Sequence, residues 1–249
     1  MGKITHVIFD LGNTLIYRNT EASIPLPRAV KELTGSLIKL GYNLQRESFV
    51  QELLQRIYIY HEERDTDLME DTTFNLVEGL LLDLGFTNTP QEHIHAGLQA
   101  YYTYTQQFWT PEEDAVSTLQ TLHERGYRSA LITNAAYGWD VQRLIDKAKI
   151  RPYLSHIAIS GDLGIRKPHP QIFEKTLNAC ETVPQQAVMI GDTIRADILG
   201  ANRFGMKSIW ISRRVNTLEN RLLAQQIKPD AEVRKLAEIP DLLDSWNSM

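Results

Sequence analysis

From about residue 105 onward, short β-branched runs alternate with stretches of helical spacing, and this rhythm constrains the fold more than any other feature of the chain. "THVIFD" is the first strand candidate, and "RSALITN", "HIAIS", "AVMIG", "KSIWIS" and a short run at "AEV" follow it. Between the runs lie helical patterns. "PEEDAVSTLQTLHERGY" has a proline start, acids in its first turn and a glycine stop, which predicts a helix feeding "RSALITN". Further helices are expected near residues 138–147, 170–180 and 194–204, and at the end of the chain. Strands separated by helices pair in parallel through crossovers, so the pattern predicts an α/β fold with a doubly wound, Rossmann-like parallel sheet.

Residues 18–105 break that rhythm. "LPRAVKELTGSLIKLGY", "ESFVQELLQRIYIYHEE", "TTFNLVEGLLLDLGF" and "PQEHIHAGLQAYYTYTQQF" all favour helical spacing over alternation. The expected organisation is a core formed by 1–17 and 106–249, with a helical cap inserted at 18–105. Ligands of open α/β sheets bind outside the carboxyl ends of the strands, so an insert that leaves just after the first strand overhangs that crevice as a lid. A chain of 249 residues is long enough for one domain carrying such an insertion.

Composition narrows the function classes. Hydrophobic residues make up 43% and charged residues 23%, which favours a folded globular protein over a disordered or fibrous one. The formal charge of −5 and the lack of a Lys/Arg block argue against nucleic acid as a partner. No run reaches the ~18–20 consecutive apolar residues of a membrane span, so no membrane partner is expected. One cysteine, Cys180, cannot form an internal disulfide, and "MGKITHVIFD" lacks a signal-peptide core, so the cytoplasm is the expected location. His6 stands where N-myristoylation requires Ser or Thr. Oligomeric state has no signature in the sequence.

Four stretches place polar groups just beyond predicted strands: "DLGNT" (10–14), "LITN" (131–134), "GIRKP" (164–168) and "IGDTIRAD" (190–197). Parallel strands converge on one crevice, which would gather the carboxylates of Asp10 and Asp192, the ammonium of Lys167 and the hydroxyl of Thr133. Neighbouring carboxylates repel unless a cation joins them, and hard oxygen ligands with room for a substrate phosphate suit Mg²⁺. The residues point to a metal-assisted phosphate site.

In this order, the four stretches resemble the motifs of the haloacid dehalogenase-like hydrolase superfamily, and the insert resembles the helical cap of one large branch. The resemblance implies Mg²⁺-dependent hydrolysis of a small phosphorylated substrate through an aspartyl phosphate. It implies Asp10 as nucleophile, Thr133 as phosphate-binding hydroxyl with Asn134 beside it, and Lys167 as the charge-stabilising lysine that also contacts phosphate. Asp10, Asp192 and the carbonyl of Gly12 are the implied metal ligands, and Asp197 matches an acid that supports them. Asp197 also fits an exposed helix face, one turn after Asp192.

Gly12 departs from the pattern. Phosphatases of this family usually carry a second aspartate there, which protonates the leaving group and activates water. General acid–base catalysis is worth ~10²–10⁴-fold, so its loss slows such an enzyme without silencing it. Restoring Asp at position 12 is expected to raise turnover if the surroundings accept it. Two alternatives follow from Gly12: a low-turnover phosphate-binding or regulatory protein, and a metal-independent haloacid dehalogenase, since those enzymes also lack the second aspartate.

Other polar clusters have simpler readings. "DTDLMED" at 65–71 has Met69 and Glu70 where a calcium loop needs an oxygen donor and glycine, and reads as a solvated acidic turn. His93 and His95 are two apart in a helix and face different ways. His169 reads as structural. Tyr17, Arg18 and His61 read as structural residues rather than as substrate contacts from the cap, and the tyrosines at 58, 60 and 101–104 read as cap packing.

Overall fold

A computed structural model describes residues 2–18 and 26–248. Its first strand is β1 (His6–Phe9), followed by β2 (Ile16–Arg18). Four helices come next: α1 (Leu26–Lys39), α2 (Arg46–Asp67), α3 (Thr73–Asp83) and α4 (Gln91–Thr105). The chain continues through β3 (Trp109–Pro111), α5 (Ala115–Glu124), β4 (Arg128–Thr133), α6 (Gly138–Lys147), β5 (Leu154–Ile159), a single turn α7 (Ser160–Leu163) and α8 (Pro170–Ala179). It ends with β6 (Ala187–Gly191), α9 (Leu199–Phe204), β7 (Lys207–Ile211), α10 (Leu218–Gln226), β8 (Ala231–Val233) and α11 (Ile239–Ser248). Residues 19–25, at the start of the expected insert, lie outside the described residues.

Six strands form one parallel sheet in the order β5-β4-β1-β6-β7-β8. The chain builds outward from β1 through β4 to β5, then returns to the other side of β1 for β6, β7 and β8. The order reverses at β1, and the crevice of such a sheet opens at that switch point. Alternation along β1 sorts its side chains onto two faces: Val7 and Phe9 pack with Leu119, Leu144 and Leu243, whereas Ile8 packs with Phe173 and Met189. Helices thus cover both faces, as the expected doubly wound architecture requires. The cap helices enclose a separate apolar cluster built on Leu33, Leu37, Leu53, Leu81 and Leu98. No described helix is long and apolar enough to cross a membrane.

Several details differ from the sequence expectations. The helix expected from Pro111 begins at Ala115, because Pro111 pairs with Ile16 in the two-stranded antiparallel ribbon β2–β3. This ribbon joins the two chain crossings between core and cap. It is clamped from the core: Arg213 and Arg214 both hold the buried Glu112 carboxylate, at 2.6 and 2.8 Å, and the Arg214 guanidinium stacks 3.7 Å from the Tyr17 ring centroid. The helix expected from 194 opens with a π-helical turn, Ile194–Ile198, before α9. The acidic turn at 65–71 is not simply solvated, since Glu70 is buried. Its segment pairs with the loop before Lys167: Arg166 N–H donates to Leu68 O at 3.0 Å, and Glu70 N–H donates to Gly164 O at 3.1 Å.

Candidate active site

Asp10, Thr133 and Asp192 stand at adjacent strand ends because the registers align them. Phe9 is level with Leu131 on β4 and with Ile190 on β6, so Asp10 lies one residue, and Thr133 and Asp192 two residues, beyond that level on neighbouring strand ends. The backbone N–H of Asp10 still bonds Ile190 O at 2.8 Å, which fixes the carboxylate at the rim. Lys167 arrives from the loop after α7. Its ammonium lies 2.7 Å from Asp10 Oδ1, 2.7 Å from Asp197 Oδ1 and 2.7 Å from Ile132 O, and the residue is only 2% exposed.

Asp197 is fully buried rather than on an exposed helix face. The π-helical turn carries it back under Asp192, where its Oδ2 accepts from Thr193 N–H at 2.9 Å. Gly191 makes this possible, since a Cβ there would lie 2.2 Å from Asp197 Oδ2. Asp10, Asp192 and Asp197 offer oxygens within 4.8 Å of one another. Burial, reinforced by the charges of Asp10 and Asp197, pushes the Asp192 carboxyl up to about 7. Burial likewise raises Asp197, to about 6, although Lys167 opposes the shift. Burial works against the Lys167 ammonium too, but Asp10 and Asp197 outweigh it and hold its pKa above the usual lysine value. Lys167 pairs with two of the three carboxylates and not with Asp192, and the excess negative charge together with an all-oxygen donor set fits a divalent hard cation.

Thr133 is buried at the rim of the same cavity. Asn134 has both ends of its amide engaged by the Lys167 backbone: Lys167 N–H donates to Oδ1 at 2.8 Å and Nδ2 donates to Lys167 O at 3.0 Å. Its side chain therefore fixes the Lys167 backbone. Asn13 Nδ2 and the Thr193 hydroxyl both donate to Asp192, at 3.3 and 3.0 Å. Gly12 also lines the cavity, and a Cβ there would meet the indole of Trp109, 3.3 Å from Cη2. His169 caps α8, and His93 and His95 bond Tyr42 and Tyr137 respectively.

The cavity, about 870 Å³, contains residues that the sequence did not single out. Arg64, Asp65, Thr66 and Leu68 reach it from the end of α2, and Trp109, Asp140 and Arg166 from the core. Burial raises the Asp140 carboxyl to about 7, although Gln106 donates to it. Glu70 bridges the two parts of the fold. It accepts from the Tyr60 hydroxyl of the cap and from Ser160 Oγ at 2.7 Å, and that same Oγ accepts from Ala135 N–H at 2.8 Å. Arg166 lies within "GIRKP", and residues 65, 66, 68 and 70 lie within the acidic turn "DTDLMED", whereas Arg64, Trp109 and Asp140 carry no comparable local signal.

Residues 4–205 match the family model for haloacid dehalogenase-like hydrolases. The chain is 29% identical over 212 residues to a glyceraldehyde 3-phosphate phosphatase of Pyrococcus furiosus, covering 84% of this chain and 81% of that protein. Its fold is similar to that of a crystallised haloacid dehalogenase-like phosphatase from Thermococcus onnurineus, with a TM-score of 0.63, 22% identity, and coverage of 96% and 98% of the two chains. It is also similar to that of a 2-haloacid dehalogenase from Pseudomonas syringae pv. Tomato DC3000, with a TM-score of 0.66, 24% identity, and coverage of 98% and 99%.

Proposed function

The chain belongs to the haloacid dehalogenase-like hydrolases, and from that premise we propose that it is a Mg²⁺-dependent phosphatase of a small phosphorylated metabolite. In this reading residues 1–17 and 106–249 form the catalytic core and 18–105 the cap. The observation that carries the reading is the buried cluster of Asp10, Asp192 and Asp197 around Lys167 at the carboxyl ends of the sheet. The phosphatase activity of the Pyrococcus furiosus relative supports it. Three converging carboxylates favour a metal enzyme over metal-free carbon–halogen cleavage.

The Asp10 carboxylate attacks phosphorus in line, the ester oxygen departs, and an acyl phosphate forms that water later hydrolyses. Lys167 neutralises charge on the transferring group, while the Thr133 hydroxyl and backbone amides beyond it hold the equatorial oxygens. Asp10, Asp192 and the Gly12 carbonyl would hold Mg²⁺, with Asp197 fixing the arrangement, and the bound ion would supply further charge neutralisation and orient the phosphate. Gly12 offers no proton to the leaving group, so esters with good leaving groups react best.

The direct test is a panel of phosphometabolites with Mg²⁺, with Asp10→Asn as the blank. Release of phosphate by the parent chain but not by the variant is expected, and release by both would contradict the assignment. A second expectation concerns the metal. A carboxylate whose folded pKa is raised stabilises the metal-free fold only while protonated, and that contribution is lost as pH rises through about 7 for Asp192. Mg²⁺ must displace that proton, so its affinity should rise about tenfold or more from about pH 5.5 to 7.5, read by calorimetry. An affinity independent of pH would count against Asp192 as a ligand.

A further inference from the structure

Arg166 is 6% exposed, yet two of its guanidinium nitrogens, Nε and Nη1, have no hydrogen-bond partner. Its acidic neighbours balance its charge without taking those donors. Glu70 is committed to Tyr60 and Ser160, which leaves Nη1 3.6 Å from its Oε2. Asp65 lies 3.3 Å from Nη2, but its side chain is 75% exposed and is displaced at little cost. A buried charged donor without an acceptor is costly, and such groups in native proteins normally find one. Arg166 lines the cavity that holds Asp10 and Lys167. Arg64 lines it from the cap, and its Nε is likewise buried without a partner.

Two arginines, one from each side of the cap–core boundary, thus line the cavity that holds the nucleophile, and each keeps guanidinium donors without acceptors. The planar fork of an arginine matches the oxygens of a carboxylate or phosphate better than it matches a lone hydroxyl or carbonyl. We propose that Arg166, with Arg64, binds a second anionic group of the substrate, so that the preferred class is phosphate monoesters whose leaving alcohol carries a carboxylate or a second phosphate. The inference rests on the phosphatase reading and adds the substrate class. It also gives the cap a chemical role: Arg64 completes the anion site only when α2 lies over the core.

The test compares kcat/KM for phosphoglycolate, ethylene glycol bisphosphate, ethyl phosphate and glycolaldehyde phosphate, using the full chain with Mg²⁺. At least one of the first two should exceed both neutral esters by ~10²-fold or more, mainly through KM. Phosphoglycolate alone would identify a carboxylate site, and the bisphosphate alone a phosphate site. Arg166→Gln and Arg64→Gln should each collapse the preference, and Arg166→Lys should restore part of it, which a purely structural role would not do. If Arg166→Gln fails to fold, Arg64→Gln carries the test. Neutral esters as good as both anionic ones, or a preference that survives both substitutions, would overturn the proposal. A chain that hydrolyses p-nitrophenyl phosphate yet shows no anionic preference refutes this inference alone. A chain inactive on every phosphate ester refutes the phosphatase reading, and the inference with it.

Discussion

Lys167→Ala is expected to lower kcat/KM by at least ~10³-fold, because a cation placed on a transferring phosphoryl group is worth ~10³–10⁵ in rate. The same change should weaken the fold. The ammonium touches Asp10, Asp197 and the Ile132 carbonyl and is almost wholly buried, so its removal leaves two buried carboxylates without their cation. Breaking a buried pair from one side costs about 3–5 kcal/mol. The sign of the pH dependence follows from the remaining acids. Asp192 and Asp197 already hold protons more tightly than ordinary aspartates, and Asp197, whose rise Lys167 opposes, would hold its proton more tightly still without that lysine. The variant's loss of stability should therefore be larger at high pH than at low pH, and Mg²⁺ should recover part of it. Denaturation with and without Mg²⁺, paired with p-nitrophenyl phosphate turnover on protein verified as folded, separates the two effects. A folded variant with parental turnover would remove Lys167 from the chemistry.

The parts of this site that were legible in the sequence are those that local pattern encodes. The strands are short apolar runs, and the motifs that carry Asp10, Thr133 and Asp192 stand directly at strand ends, so register brings those three together. Asp197 was ambiguous because its direction depends on a π-helical turn and on the space left by Gly191, neither of which has a helical-period signature. The β2–β3 ribbon is three residues a side, too short for alternation, and the acid that anchors it, Glu112, meets arginines a hundred positions away. Glu70 looked like part of a solvated turn because acidic composition usually means solvent. Its burial depends on Ser160 and on the pairing of Leu68–Glu70 with the Lys167 loop, long-range contacts that no window of sequence contains. The sequence could mark the absent acid at Gly12, but not what fills the space.

What fills it determines how the missing acid can be restored. The backbone at Gly12 is outside the left-handed region, unlike that of its neighbour Asn13 with φ of 55°, so an L side chain meets no conformational barrier there. The obstacle is the indole of Trp109, 3.3 Å from the position of a Cβ at Cη2 and 3.6 Å at Cζ3. The Trp109 backbone is held by its pairing with Arg18 in the ribbon and by Lys147 Nζ, which donates to its carbonyl at 2.7 Å, and its half-buried side chain packs against the core cluster. Gly12→Asp alone is therefore expected to gain little, since the carboxylate must extend into space that abuts the ring. Trp109→Phe withdraws the outer ring atoms and keeps an aromatic side chain in the ribbon. The double variant should raise kcat/KM on ethyl phosphate by ~10²–10⁴-fold, the usual worth of a positioned acid and base. On p-nitrophenyl phosphate the gain should be much smaller, because that leaving group needs little protonation. The cycle of both single variants and the double isolates the coupling between positions 12 and 109. A full gain from Gly12→Asp alone would mean that Trp109 yields. No gain in the double variant, with folding and Mg²⁺ affinity intact, would mean that leaving-group protonation is not what limits this site.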